Sequence, residues 1–437
     1  MTHAFTREWG RIVIGADGFS RPQADALLAA ARRHPIGGVE GTRILCDHHR
    51  HLTARQAVGV IAARGCSLEI LPKVDPEGPD EDSATVRGRL VRMLDVALGL
   101  DLSVGETTAM AHRADSLLDL FIALFADRLL AEVRRGLPRR YLEQQADLGA
   151  LRGRLDVARQ FTAHAVRPDR LACRFDALDG DTALMRVMKA CVLSVARYAR
   201  AAETQRKLAE LRLLLADVAE VAPNRLPWRD VRIDRTSRRW TTLLELARLL
   251  LGRRWQQTHG APAEPEGISL LFPMNDLFER YVAVQLRRAL APRGLEVVAQ
   301  GGFRNCLGKW RAGEECTASV FRTKPDILVR EAGRIVAVID TKWKGLADDP
   351  FDSKGGVEQS DVYQLMAYAR VYRCDRLMLL YPSAHGASGG IVRRFGLAGG
   401  SERLDIATLN VAATPEQTVR DLGAMLGEPA NWPVRCQ

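Results

Sequence analysis

Disulfides, membrane spans and nucleotide-binding loops are the first things this sequence does without. Only eight Cys are spread over 437 residues, none in a C-x-x-C pair and none grouped with His at zinc-finger spacing. Free thiols in a reducing compartment follow, and with them a cytoplasmic protein. Long apolar runs are missing too. The richest stretch, Ser116–Leu130, is broken by Asp119 and Asp127, so no membrane span is expected. The first ten residues carry Arg7 and Glu8 and no apolar block, so no secretory signal is expected. The phosphate loop G-x-x-x-x-G-K-[ST] is absent. Its nearest approach, Gly308-Lys309, is followed by Trp310 and has Phe303 where the first Gly belongs. Any nucleotide dependence must then come from another chain. No internal repeat or low-complexity tract is present. Lysine is scarce: there are eight, and Lys324, Lys342, Lys344 and Lys354 fall in one short stretch of a chain that otherwise uses Arg. Arg cannot lose its proton in a protein whereas Lys can be tuned. The grouping hints at chemistry there, chance clustering being the bland alternative.

What is present is an ordinary globular composition. Hydrophobic residues make up 47% and charged residues 27%, which rules out wholesale disorder. A chain of 437 residues is too long for one compact core, so two or three domains are expected. Lys and Arg number 63 against 53 Asp and Glu, a net +10, which favours a polyanionic partner such as nucleic acid.

The pattern along the chain predicts a multidomain α+β protein. A β-rich N-terminal domain covers 1–82, with strands at Trp9–Ile14, Thr42–Cys46 and Ser67–Val74 and a helix at Thr53–Arg64. An acidic, Pro- and Gly-bearing linker, 75–82, closes it. A helical middle region covers 83–262, with apolar stripes at Val86–Leu98, Leu117–Val133, Leu184–Tyr198 and Leu243–Leu251. Leu208, Leu211, Leu214 and Leu215 read as a core-facing helix. A second linker, His259–Gly267, precedes a C-terminal domain over 268–437. There the order is a helix at Asn275–Ala291 with Asn275 or Asp276 as N-cap, and strands at Leu295–Ala299, Asp326–Val329 and Arg334–Asp340. A helix at Glu358–Tyr372 and a strand at Arg376–Tyr381 follow. This is αβββαβ, with further strands at Gly390–Phe395 and Leu404–Val411 and a closing helix at Pro415–Leu426. Residues 301–322 form an insertion, read as a hairpin of its own and without an assigned role.

The chemistry concentrates in Lys324-Pro325-Asp326 and Asp340-Thr341-Lys342. Asp340 and Lys342 are two apart at a strand end, so they point to one face. A tight turn at 331–333 makes the two strands antiparallel neighbours, which puts Asp326 and Asp340 at the same end. Two carboxylates with the Thr341 carbonyl and waters make a hard-oxygen site suited to Mg²⁺, Mn²⁺ being the alternative. Lys342 is placed to position or deprotonate an attacking water, which points to phosphodiester hydrolysis. Gln364 and Tyr368 are four apart on the following helix and share a face. Two readings of Glu279 stand: a contribution to the same metal or its water shell, or an ion pair with Arg280 or Arg287. Each feature alone is ordinary; the combination within an αβββαβ frame is specific.

That combination resembles the PD-(D/E)XK nuclease superfamily, and Gln364 with Tyr368 is similar to the extension of its RecB-like branch. The wider chain resembles the McrC family of modification-dependent (type IV) McrBC restriction systems. The stretches carrying this are Leu68–Val74 (LEILPKV), Leu151–Asp156 (LRGRLD), Phe272–Val282 (FPMNDLFERYV) and the core Lys324–Arg370. The resemblance implies a DNA endonuclease subunit that is inactive alone and docks onto a hexameric AAA+ GTPase, the McrB-like partner. It stimulates GTP hydrolysis there and cuts methylcytosine-type double-stranded DNA. GTP would be used only through the partner, 1–82 would engage it, and Asp326, Asp340 and Lys342 would be the catalytic set. Asp340 stands where many superfamily members have Glu. Two rivals remain: a free-standing RecB-like repair nuclease, and a non-catalytic activator whose nuclease fold is a scaffold. The modification read, the cut position and the stoichiometry are not legible in the residues.

Three other features rank lower. His48 and His49, within Asp47–His51, are adjacent and would face opposite sides of a strand, so a solvated loop or partner contact is expected rather than a metal. Arg134, Arg135, Arg139 and Arg140 suit either phosphate contact or a helix end favoured by its dipole. Trp343 either stacks on DNA or packs under the sheet edge.

Overall fold

The computed structural model describes residues 2–427 apart from 17, 39–40, 64, 74–80, 101–115, 165, 168, 236, 253–268, 313–316, 347–353, 355 and 384–388. The expected linker at 259–267 and most of that at 75–82 lie outside the described residues. The chain divides into two compact units, one formed by Met1–Arg113 with Leu271–Gln437 and the other by Ala114–Leu270. Helix 83–98, read from sequence with the middle region, therefore groups with the first unit. Among the described residues no helix is long and apolar enough to cross a membrane.

The first unit opens with β1 (Thr2–Arg7), β2 (Arg11–Val13), α1 (Arg21–Arg33), β3 (Leu45–Asp47), β4 (His51–Ala54), β5 (Ala57–Ala63), β6 (Cys66–Leu71) and α2 (Ser83–Leu98). The sheet order is β1-β6-β5-β7, where β7 is Ser269–Pro273, and a second small sheet runs β2-β4-β3. The helix expected at Thr53–Arg64 is instead the end of β4 and all of β5. Every residue of β5 is buried, so a continuous apolar run replaces alternation. Such a run does not distinguish buried strand from buried helix, and Val58, Val60 and Ile61 favour the strand. Leu27 and Leu28 of α1 pack with Ile44, Leu52, Ile61, Leu68 and Leu271 in one core.

The chain then continues into α3 (Met274–Leu290), β8 (Glu296–Ala299), β9 (Asn305–Leu307), β10 (Val320–Arg322), β11 (Ile327–Glu331), β12 (Arg334–Thr341), α4 (Gln359–Tyr372), β13 (Arg376–Ser383), β14 (Gly390–Gly396), β15 (Arg403–Asn410) and α5 (Pro415–Leu426). Six strands form one sheet in the order β8-β11-β12-β13-β15-β14, and β9 pairs with β10 as a separate hairpin. β12 runs parallel to β13 and antiparallel to β11. The β11–β12 turn is Ala332-Gly333, at φ 46 and 82, the two-residue geometry whose twist matches the flanking strands. Leu365, Tyr368 and Tyr372 of α4 pack on Leu328, Val338, Leu377 and Leu379. α3 is capped by Pro273, with no side-chain cap. Asn275, expected as that cap, instead accepts from the Trp343 amide at 3.1 Å.

The second unit is not wholly helical. Arg140–Leu148 pairs antiparallel with Leu171–Asp179, and Arg154–Leu155 adds to the latter strand. The helices Leu117–Arg134, Ala183–Val195, Ala202–Leu214 and Thr241–Leu250 supply its core, with Phe121, Phe125, Met188 and Trp240 fully buried. Leu208, Leu211 and Leu215 are buried as expected, whereas Leu214 is exposed. Three of the four arginines of the cluster are engaged within the unit: Arg134 pairs with Glu210 at 2.8 Å, Arg135 with Glu132 at 2.9 Å and Arg140 with Asp234 at 3.1 Å.

Candidate functional site

Register decides where the acids meet. Ile327 of β11 stands opposite Ile339 of β12, so Asp326 and Asp340 occupy the next row outward. Strand alternation sends Asp340 and Lys342 to the face already holding Val338, the face covered by α4. Asp326 is locked from the partner strand: the Thr341 amide and hydroxyl both donate to its Oδ2, at 2.8 and 2.9 Å. Asp340 is 1% exposed, and Lys342 Nζ lies 2.8 Å from its Oδ2. The same ammonium lies 3.3 Å from Asp361 and donates to Gln364 Oε1 at 3.4 Å. Gln364 in turn donates to the Tyr368 hydroxyl at 2.7 Å, which donates to the Lys324 carbonyl at 3.0 Å. The helix face bearing Gln364 and Tyr368 thus ties both halves of the motif together.

Glu279 reaches the same place from α3. Gln300 donates to its Oε2 at 3.2 Å, while its buried Oε1 finds no hydrogen-bond partner among the described residues. Among the described residues Glu279 pairs with neither Arg280 nor Arg287: its one hydrogen-bond partner is Gln300, and Arg287 Nε donates to the Val297 carbonyl. Asp361 was missed by sequence reading. It bridges Lys342 and Lys344, the latter at 2.8 Å. Its position three residues before Gln364 is the signal that could have found it. Trp343 is held rather than free: its ring meets Phe278 edge-on at 5.4 Å and its indole N–H donates to Glu8 at 3.0 Å. His48 and His49 sit exposed on the β3–β4 turn, and Asp47 is occupied by Arg21.

The electrostatics describe an excess of buried negative charge. Burial, then repulsion from Asp326, raises Asp340 to about 6 despite Lys342. Asp326 is raised by burial against the opposing Thr341 hydrogen bonds. Glu279 is raised to about 8 by burial and then by Asp326. Burial alone would lower Lys342, but Asp340 and Asp361 more than offset it and its net shift is upward. An ammonium so held stays charged at neutral pH, which fits a positioning role and not that of a base.

Among the described residues no group of three or more His, Cys, Asp or Glu side chains forms a ready metal cage. The donor set nevertheless fits Mg²⁺, which is commonly held by one or two carboxylates, with waters and substrate phosphate completing the shell. The unpartnered Glu279 oxygen and the upward shifts of both aspartates are what such a cation would relieve.

A pH prediction follows from Glu279. Its folded-state value lies above the ordinary 4.5, so the folded protein holds a proton that the unfolded chain has released. Stability from this group is full below about 4.5 and is lost as pH rises through about 8. Glu279→Gln should therefore melt higher than wild type at pH 8.5 and close to it at pH 5, in metal-free buffer. Parallel melting curves across that range would contradict the assignment.

The architecture and site define a mixed α+β protein with an acid–acid–lysine cluster at one end of its large sheet. Residues 52–382 match the family described as McrBC 5-methylcytosine restriction system component, and the chain belongs to that family. No curated protein matches the chain. Its fold is similar to a chain in the tetradecameric assembly of Thermococcus gammatolerans McrB AAA+ hexamers with bound McrC. The TM-score there is 0.71 and the identity 21%, over 97% of this chain and 100% of that one. A second likeness is to a chain of the Thermococcus gammatolerans McrBC complex, at TM-score 0.54 and 24% identity, over 66% of this chain and 88% of that one.

Proposed function

We propose that this protein is the Mg²⁺-dependent endodeoxyribonuclease subunit of a McrBC-type restriction system. The observation that carries the reading is the single row of Asp326 and Asp340 with Lys342 beside them, on a sheet entered in αβββαβ order. This supports a PD-(D/E)XK nuclease domain. Asp326 and Asp340, with the Thr341 carbonyl, would hold Mg²⁺ or Mn²⁺, and Glu279 would face its water shell. When bound, the ion supplies polarisation of a phosphoryl oxygen and neutralises charge that develops on it. Lys342, charged and fixed between Asp340 and Asp361, orients a water or phosphate oxygen. Gln364 and Tyr368 keep Lys342 and the Lys324 segment in register. The net +10 charge supports double-stranded DNA as substrate.

The family description supports methylcytosine-type DNA as the target, and a cytoplasmic setting is the reading that its free thiols support. The likeness to a chain from an assembly of McrB AAA+ hexamers supports an AAA+ partner, and the family resemblance adds GTP hydrolysis by that partner. That partner would be engaged by residues 1–82, where Phe5 and Trp9 are exposed. GTP enters only through it, since this chain lacks a phosphate loop.

The test is cleavage of a cytosine-methylated plasmid with Mg²⁺, with and without a McrB-like AAA+ protein and GTP. Cutting is expected only with the partner, GTP and methylation together. Cutting by the chain alone would favour a free-standing repair nuclease. Partner stimulation without any cutting would favour a non-catalytic activator.

A further inference from the structure

The insertion between β8 and β11 contributes nothing to the acid row itself, yet its ends are built into it. Ala299, Ile327 and Ile339 stand in register across three strands. One residue outward are Gln300, Asp326 and Asp340, so the insertion leaves and re-enters the sheet in the row that holds both acids. Its base is tied down. The Gln300 amide donates to the Asp326 carbonyl at 2.9 Å and its side chain to Glu279. Thr323 Oγ1 donates to the Arg304 carbonyl and lies 2.7 Å from the Tyr372 hydroxyl. Arg304 covers the Tyr372 ring at 5.3 Å and donates to the Val371 carbonyl. The chain turns sharply at Gln300, φ 48, and Gly302, φ 68, where a Cβ would stand 2.5 Å from Leu328 Cδ1. The direction in which the hairpin leaves the site is therefore fixed.

The rest of the hairpin is uncovered. Every residue of β9 and β10 is exposed, and Trp310 and Phe321 are 80% and 70% accessible. Lys309 and Lys324 are exposed as well. Arg304 and Arg322 are exposed too but lie over the Tyr372 and Phe303 rings. By sequence the stretch 301–324 carries five cations against two acids, Glu314 and Glu315, which lie outside the described residues. A surface that only docks protein has no need of such an excess. A surface that only attracts phosphate has no need of an exposed indole. Nucleic acid asks for both, cations for the phosphates and aromatic faces for sugars and bases. A two-stranded β-ribbon also fits the major groove of a duplex.

We propose that the hairpin β9–β10 is a DNA-contacting ribbon that holds the duplex beside the acid row. Lys309 lies on a phosphate and Trp310 against the bases or sugars next to the cut. This rests on the nuclease reading above, because it is that reading which puts a scissile phosphate at the acid row.

The test uses the full chain assembled with its AAA+ partner and a fluorescent methylated duplex in EDTA, so that affinity is read without cutting. In Lys309→Gln, the slope of log affinity against log salt should fall by about 1. In Trp310→Ala, affinity should fall roughly 10-fold with the slope unchanged. Both variants should keep wild-type stimulation of GTP hydrolysis and wild-type melting. Unchanged affinity and slope in both variants would overturn the proposal. Lost GTPase stimulation with DNA affinity intact would also overturn it and make the hairpin a protein-docking surface. The two readings fail separately. If Mg²⁺ restores no cutting by wild type while Trp310→Ala still weakens binding, the ribbon stands and the nuclease reading falls. If cutting depends on Asp340 but binding ignores the hairpin, the reverse holds.

Discussion

Replacing Asp340 with alanine is expected to lower DNA cleavage by roughly 10³-fold, the scale on which removal of one preorganised electrostatic group acts, without unfolding the protein. Asp340 is 1% exposed, and loss of a buried group ordinarily destabilises. Here the buried group is a carboxylate raised to about 6 by burial and by Asp326, so its ionised form is unfavourable in the metal-free fold at neutral pH. Its removal leaves Lys342 paired with Asp361, so no buried ammonium is stranded. Cleavage should collapse while melting temperature at pH 7.5 and stimulation of partner GTP hydrolysis hold. Loss of all three together would mean that Asp340 is structural, and retained cleavage would remove it from the chemistry.

The largest stability effect is expected at Arg87, outside the acid row. Its guanidinium forms a two-pronged pair with Glu69 at 2.8 and 2.9 Å. Glu69 is fully buried on β6 and Arg87 nearly so on α2. Arg87→Ala takes the two-pronged partner from a fully buried carboxylate, leaving His3 Nε2 at 3.8 Å beside it, and should destabilise by roughly 3–5 kcal/mol. Arg87→Met combined with Glu69→Leu removes both charges at similar volume and should recover most of that loss. Urea unfolding followed by tryptophan fluorescence reads both. A single variant within about 0.5 kcal/mol of wild type, the range of an ordinary surface change, would show that the pair contributes nothing.

The C-terminal sheet was legible because its signals are local. The short β-branched run Ile335–Ile339, the Ala332-Gly333 turn and the apolar stripe of α4 each specify their own element. The same locality placed Asp326, Asp340 and Lys342 together, since register follows once the turn is known. What escaped depends on partners distant in sequence. Arg140–Leu148 is rich in residues that suit helices, and only pairing with Leu171–Asp179 makes it a strand. β5 is buried throughout and so shows no period to read. α1 was legible and went unread: Ser20, Pro22 and Gln23 form a capping box with Pro inside the first turn. Of the site, Asp361 shares the helix spacing of Gln364 and Tyr368. Gln300 and Glu8 reach their partners only through folding, and no motif announces them.

The central claim is that a divalent cation is held between Asp326 and Asp340. Mn²⁺ occupies oxygen sites of this kind and scatters anomalously, so crystals of the full chain soaked in Mn²⁺ test the claim directly. A peak is predicted between the two carboxylates in wild type, and none in Asp340→Ala. A peak elsewhere, or one that survives Asp340→Ala, would contradict it.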